Sequence, residues 1–201
     1  SSCDVCVEKD ERRATLLQYD LDGKNLKVFA KGLRNTVFFV SDDKDRIWGT
    51  DMGRDFLGDN LPPDEVNIIK EGGDYGWPYC YGNKVRDSKF RTGKLPNYCG
   101  NTEPTVFDLP AHVAPLGLAF DSEGDLLVAF HGSWNSSVPV GYKIVKLTVS
   151  DDKVTKMEDF IAGFITDDRE VLGRPVDLVF DANETLYISD DKAGLIYILT
   201  R

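Results

Sequence analysis

Three stretches of this chain superpose on one another, and that repetition limits what it can fold into more than any other feature. They are TVFFVSDDKDRIWGTD at residues 36–51, PLGLAFDSEGDLLVAF at 115–130 and PVDLVFDANETLYISD at 175–190. Each reads as a short apolar strand, a turn of Asp, Ser, Asn or Gly, and a second apolar strand, which together make a hairpin. A third strand follows each copy, at residues 66–70, 142–147 and 195–199, and further strands fit residues 15–19, 26–29 and 157–161. The 18 Gly and 9 Pro interrupt every window long enough for an amphipathic helix. The chain is expected to be all-β. Sets of strands recurring in this way predict the radially arranged blades of a β-propeller in preference to a sandwich.

The repeat also locates the insertions. Between its second and third strands the third copy needs only residues 191–194, whereas the second inserts residues 131–141 and the first residues 52–65. Equivalent loops of successive blades share one face of a propeller, so two elaborated loops predict a ligand pocket at one end of the channel. Asn35, Ala114 and Arg174 precede the three hairpins at equivalent places. Arg34, Asn35 and Arg174 are therefore expected at one mouth. An arginine fork with no acidic neighbour in sequence suits a carboxylate or phosphate, a surface salt bridge being the alternative. Asp64 and Glu65, with Gly72, Gly73 and Tyr75 following, offer hard oxygen ligands in a tight loop, as calcium prefers, without EF-hand spacing. His112 and His131 are the two histidines. Each is either a general base or a structural hydrogen-bonding residue. No residue is assigned as catalytic from this pattern, and His131 is the candidate retained.

Charge and cysteine usage narrow the class. A hydrophobic content of 41% suits a folded chain. A net charge of -10 with no cluster of lysine or arginine argues against a nucleic-acid partner. The acidity suits calcium as well as plain solvation. No apolar run approaches the roughly 18 residues of a membrane span. The opening, SSCDVCVEKDERR, carries no signal peptide and reads as the middle of a longer chain. Cys3 and Cys6 form a C-x-x-C, but Cys80 and Cys99 stand too far apart to complete a tetrahedral zinc set. Val7 stands where haem attachment needs histidine, and the strand-to-helix setting of a thioredoxin motif is missing. Disulfides Cys3–Cys6 and Cys80–Cys99 in an oxidising compartment are the preferred reading, free thiols in the cytosol the alternative. The sequons at Asn135 and Asn183 are compatible with secretion but are also common by chance.

Six short motifs add a resemblance. They are SSCDVC (1–6), GLRNT (32–36), DEVN (64–67), GGDYGWP (72–78), HGSWN (131–135) and GRPVD (173–177). In combination they resemble the C-terminal half of the glucose/sorbosone dehydrogenase family, and the last two match its sorbosone-type branch. These are six-bladed β-propeller quinoproteins that use pyrroloquinoline quinone (PQQ) and calcium. The resemblance implies that residues 1–201 are a single-domain portion of such a propeller, about three to four blades. On that reading the chain is a fragment, inactive alone and periplasmic or secreted. The remaining blades, and the histidine that takes the sugar proton, would lie upstream. The implied activity is oxidation of an aldose or sorbosone-type sugar at its anomeric carbon by hydride transfer to the quinone, with the electron acceptor unknown.

Residue roles follow from the same resemblance. Arg34 and Asn35 inherit contacts to the quinone oxygens, Arg174 a contact to a cofactor carboxylate, and His131 a place in the pocket lining. Backbone carbonyls of Gly53 and Arg54 would hold the calcium that polarises the quinone. Glu65 and Tyr75, with Asp64, would serve a second, structural calcium. Two departures stand out: Thr36 replaces the proline usual after Arg-Asn, and Asp51 with Met52 replaces Glu-Asn or Glu-Gln before the Gly turn. Cofactor contact by that acidic side chain is therefore not carried over. Two other readings share the blade motifs, namely a non-catalytic propeller acting as a binding module and a calcium-stabilised extracellular domain resembling the hedgehog-interacting or lactonase-type propellers. The lactonase ligand spacing is not found.

Overall fold

The computed structural model describes residues 1–90 and 97–200, so residues 91–96 and Arg201 lie outside this account. In chain order the strands are β1 (Thr15–Gln18), β2 (Lys27–Lys31), β3 (Phe39–Ser41), β4 (Ile47–Asp51), β5 (Asp64–Ile69), β6 (Cys80–Tyr81), β7 (Val85–Arg86) and β8 (Phe107–Leu109). They continue with β9 (Pro115–Phe120), β10 (Leu126–Phe130), β11 (Lys143–Ser150), β12 (Lys153–Ile161), β13 (Pro175–Phe180), β14 (Leu186–Asp190) and β15 (Leu195–Leu199). Among the described residues the only helical pieces are two 3-10 turns, at Ser88–Phe90 and Cys99–Asn101. The protein is all-β. Three antiparallel sheets run β3-β4-β5-β8, β9-β10-β11-β12 and β13-β14-β15, with small ribbons β1-β2 and β6-β7 beside them.

The repeated hairpins close by one shared device. Asp42, Asp121 and Asp181 occupy the same turn position. Each carboxylate accepts two backbone N–H groups: Lys44 and Arg46, Glu123 and Asp125, Asn183 and Thr185. The residue three places on turns left-handed in every copy, with φ of 58° at Asp45, 83° at Gly124 and 62° at Glu184. The aspartate thus replaces ladder bonds that the turn would otherwise lose.

Packing between the sheets explains a pattern that strand alternation alone does not. The middle sheet is covered on both faces. Leu126, Val128 and Phe130 of β10 join Trp48, Val66 and Leu109 on one side. Leu127 and Ala129 join Leu178, Leu186 and Ile188 on the other. All five residues of β10 are buried, so its sequence LLVAF shows no polar alternation. Strand β15, LIYIL, is just as apolar, yet four of its five residues are exposed because it lies at a sheet edge.

Several elements differ from the sequence expectation. Asp64 and Glu65 do not lie in a loop but open β5, with Asp64 opposite Leu109 and Glu65 between Asp51 and Asp108. Ladder pairing on both sides draws these two acids into the strand. The short β8 was unforeseen, since its three residues FDL give too little periodicity to detect. Strand β12 begins at Lys153, ahead of the expected 157, through an exposed and charged edge segment. Both expected disulfides are present, and no cysteine is free among the described residues.

Candidate functional site: a cleft at one end of three sheets

Carboxylates at strand ends set the position of the site. Asp51, the last residue of β4, accepts the Arg34 N–H at 2.8 Å and the Asn35 N–H at 2.5 Å. Asp190, the last residue of β14, likewise accepts the Arg174 N–H at 3.0 Å. The matching residue in the middle sheet is Phe130, and there Asp64 substitutes. Its Oδ2 accepts the Ala114 N–H at 3.0 Å and its Oδ1 the Gly53 N–H at 2.7 Å. Burial pushes the Asp64 carboxyl up to about 7, against the lowering effect of those two amides. These contacts bring Arg34, Asn35 and Arg174 to the same end of the molecule.

A cleft of about 440 Å³ opens at that end, and its lining includes Arg34, Asn35, His131 and Arg174. The two insertion loops form its walls and are bonded to each other. Asn135 Nδ2 donates to Asp55 Oδ1 at 2.5 Å, and the Ser137 N–H donates to Asp59 Oδ1 at 3.0 Å. His112 donates from Nε2 to the Gly58 carbonyl at 2.7 Å, which is a structural role. At the rim Phe56 and Trp134 pack edge to face, 6.1 Å apart, while remaining 75% and 70% exposed. An aromatic pair held open to solvent beside a cleft is available for a ligand.

Arg174 is held rigidly. Its guanidinium lies 4.9 Å from the centre of the Tyr142 ring and donates to Gly132 O at 3.1 Å, Ser133 O at 3.3 Å and the Tyr142 hydroxyl at 3.2 Å. Gly132 makes this approach possible. Its φ is 101°, and a Cβ there would sit 2.5 Å from the Tyr142 ring. His131 pairs through Nε2 with Asp191 at 2.9 Å, and its Nδ1 lies 3.4 Å from Arg174 Nη1.

Arg34 is more constrained than its sequence neighbourhood implies. It has an acidic partner after all: Nη2 donates to Asp4 Oδ1 at 2.9 Å and Nε to Asp4 O at 3.0 Å. Nη1 donates to Gly53 O at 2.8 Å and Met52 O at 3.2 Å. In this arrangement a cation at the Gly53 carbonyl would have to displace a guanidinium.

A second, smaller void of about 20 Å³ is lined by Gly53, Arg54, Glu65 and Tyr75, together with Asp51, and is large enough for one water or one ion. Asp51 and Glu65 face each other across β4 and β5 and are 5% and 7% exposed. Burial pushes both carboxyls up, and the neighbouring Asp51 charge pushes Glu65 further. Glu65 accepts the Gly82 N–H at 2.6 Å and Asn67 Nδ2 at 3.0 Å, while Asn67 Oδ1 stays buried without a partner. Two desolvated carboxylates around an ion-sized space make a donor set that suits a single divalent cation. Arg54 Nε stands 2.8 Å from Asp87 Oδ2, pairing as charges but off the hydrogen-bond line. The Tyr75 hydroxyl donates to Ile68 O at 2.6 Å and accepts from the Lys70 N–H at 2.9 Å, and burial pushes it up to about 12.

Of the nine site residues assigned from the sequence, Arg34, Asn35, Gly53, Asp64, His131 and Arg174 line the cleft and Arg34, Gly53, Arg54, Glu65 and Tyr75 the void, so that Arg34 and Gly53 border both. Sequence reasoning missed Asp4, the rim pair Phe56 and Trp134, and the capping role of Asp51. Only the last left a signal, since Asp51 and Asp190 align in the repeat.

Comparison with known proteins gives this geometry a context. The model of the TrAA12-like family matches residues 8–201. An uncharacterised protein of Borreliella burgdorferi is 37% identical over 201 residues, which covers 93% of this chain and 52% of that protein. A pyrroloquinoline quinone-dependent pyranose dehydrogenase of Coprinopsis cinerea is 33% identical over 171 residues, covering 73% of this chain and 21% of that enzyme. The solved PQQ domain of pyranose dehydrogenase from Coprinopsis cinerea, in its holo form, superposes with a TM-score of 0.83 at 23% identity. It covers 100% of this chain and 65% of that one. The chain spans about half the length of the Borreliella relative and a smaller share of the fungal enzyme. With the family matched along nearly its whole length, the chain belongs to the TrAA12-like family of PQQ-dependent sugar dehydrogenase-like proteins.

Proposed function

We propose that this chain forms the cofactor-binding side of a PQQ- and calcium-dependent sugar dehydrogenase built as a six-bladed β-propeller. The observation that carries this reading is the convergence of Arg34, Asn35, His131 and Arg174 on one cleft of about 440 Å³. Two guanidinium groups, an imidazole and a carboxamide in one concave site suit an acidic, planar cofactor. When bound, PQQ supplies an ortho-quinone able to accept a hydride from the sugar. Arg174 presents a fixed positive charge, because Tyr142 and two carbonyls prevent its fork from rotating. Asp191 orients the His131 ring from the outer side. Phe56 and Trp134 offer a platform for the apolar face of a pyranose entering over the rim. Asp51 and Glu65 would hold a calcium ion whose role is to stabilise the sheet end that carries Arg34 and Asn35. The two disulfides favour an oxidising compartment, periplasmic or extracellular.

Titration of the full chain with PQQ, followed by absorbance with and without calcium chloride, tests the reading. Saturable binding at one site, weakened at least tenfold by Arg174→Ala, is expected. A folded chain that shows no saturable PQQ binding at either calcium level would refute it.

A further inference from the structure

We propose that Asp4 is the positioning residue for Arg34, and that the Cys3–Cys6 disulfide is the tether that makes this positioning possible. Asp4 sits inside the four-residue disulfide loop and is 30% exposed in its side chain, against 15% for Arg34. Its carboxylate Oδ1 accepts both Arg34 Nη2 at 2.9 Å and the Asp55 N–H at 2.8 Å, and its backbone carbonyl accepts Arg34 Nε at 3.0 Å. One residue thus fixes the outer face of the guanidinium and the start of the insertion loop behind the cleft. The inner face is fixed by Met52 O and Gly53 O. Asp4 supplies half of the bonds described for the Arg34 side chain.

The segment carrying Asp4 has little else to hold it. No strand forms before Thr15, and no residue of the first fourteen belongs to a core cluster. Apart from the Asp4 contacts, its described ties to the rest of the fold include the Ser1 amino group donating to Arg34 O at 2.7 Å, the Leu33 N–H donating to Ala14 O at 3.1 Å and Lys89 donating to Val5 O at 2.8 Å. Glu8 accepts the Ser2 N–H at 2.5 Å within the segment. Without the covalent closure, backbone entropy would disperse Asp4, and Arg34 would lose a pre-organised partner. A ligand would then have to order the arginine itself, which weakens binding without removing any charge from the cleft.

The decisive variant is Cys3→Ser with Cys6→Ser, since it leaves Asp4, Arg34 and Cys80–Cys99 in place. Asp4→Ala is the second variant, and a thermal melt checks that both fold. Two readouts are taken on the full chain. The first is the Arg34 Nε–Hε resonance in arginine-labelled protein, expected to be distinct and slow to exchange in the parent and averaged with solvent-exposed arginines in both variants. The second is PQQ affinity, expected to fall about tenfold in the cysteine variant. The affinity readout rests on the cofactor reading above, whereas the resonance does not. A parent that binds no PQQ sinks that reading and leaves the resonance to decide this one. An Arg34 resonance unchanged in folded variants overturns the proposal, as does unchanged PQQ affinity in a parent that binds.

Discussion

Glu65→Gln should stabilise the cation-free protein, even though it alters a buried residue with two hydrogen bonds. Glu65 is 7% exposed, and both burial and the facing Asp51 charge raise its carboxyl above the ordinary range. An acid raised on folding contributes its full stability below the unfolded pKa and loses it as pH rises through the folded one. Without a cation, wild-type stability should therefore fall between about pH 5 and pH 8. The glutamine is isosteric. Its carbonyl would keep the Gly82 N–H, and a turn of the Asn67 amide would let the now unpartnered Oδ1 receive the new N–H. Removing a buried charge that costs several kcal/mol, less imperfect repacking, leaves a gain of about 1–3 kcal/mol at pH 8. For a chain of this size that is a rise of roughly 2–10 °C in Tm. Calcium at a hundred times its Kd should add about 2.7 kcal/mol to the wild type and almost nothing to the variant. Differential scanning calorimetry at pH 5 and pH 8, with EDTA and with calcium, reads all four corners. A variant less stable than wild type in EDTA at pH 8 would show that Glu65 is not a strained charge, and one that keeps the calcium response would show that it is not a ligand.

Two other substitutions test separate parts of the argument. Gly132→Ala forces a Cβ into the Tyr142 ring at a left-handed position, so it should cost about 1–3 kcal/mol by overpacking and weaken PQQ binding along with it. Intact stability by chemical denaturation would show that the ring is free to move. Opening Cys80–Cys99 by a double serine substitution releases a 19-residue separation and should cost about 3 kcal/mol by chain entropy. The loss should appear as a lower denaturation midpoint, and a midpoint within error of the parent would refute a stabilising role for this bridge.

How much of this was legible before folding depends on how local the cause is. The hairpins were legible because Asp42, Asp121 and Asp181 act on amides two and four residues away. The pairing of Cys80 with Cys99 was legible for a similar reason, as was the class, since Gly and Pro break every helical window. Strand β8 and the early start of β12 were not legible, because three apolar-polar residues or a charged edge carry no periodic signal. That Arg34, Asn35 and Arg174 would lie at one end was legible because the repeat maps equivalent positions there, and these three line one cleft together with His131.

By itself, the amino-acid order determined an all-β chain of recurring hairpins with two enlarged loops on a common side. Those are consequences of residues acting within a few positions of one another. Only the tertiary structure decided what the charged groups do. Asp4 lies thirty residues from Arg34 in the chain and 2.9 Å from it in space, and Asp64 caps Ala114 across fifty. A carboxylate's partner, and hence whether it titrates, binds a cation or fixes an arginine, is set by the packing of separate sheets. No local pattern encodes that distance.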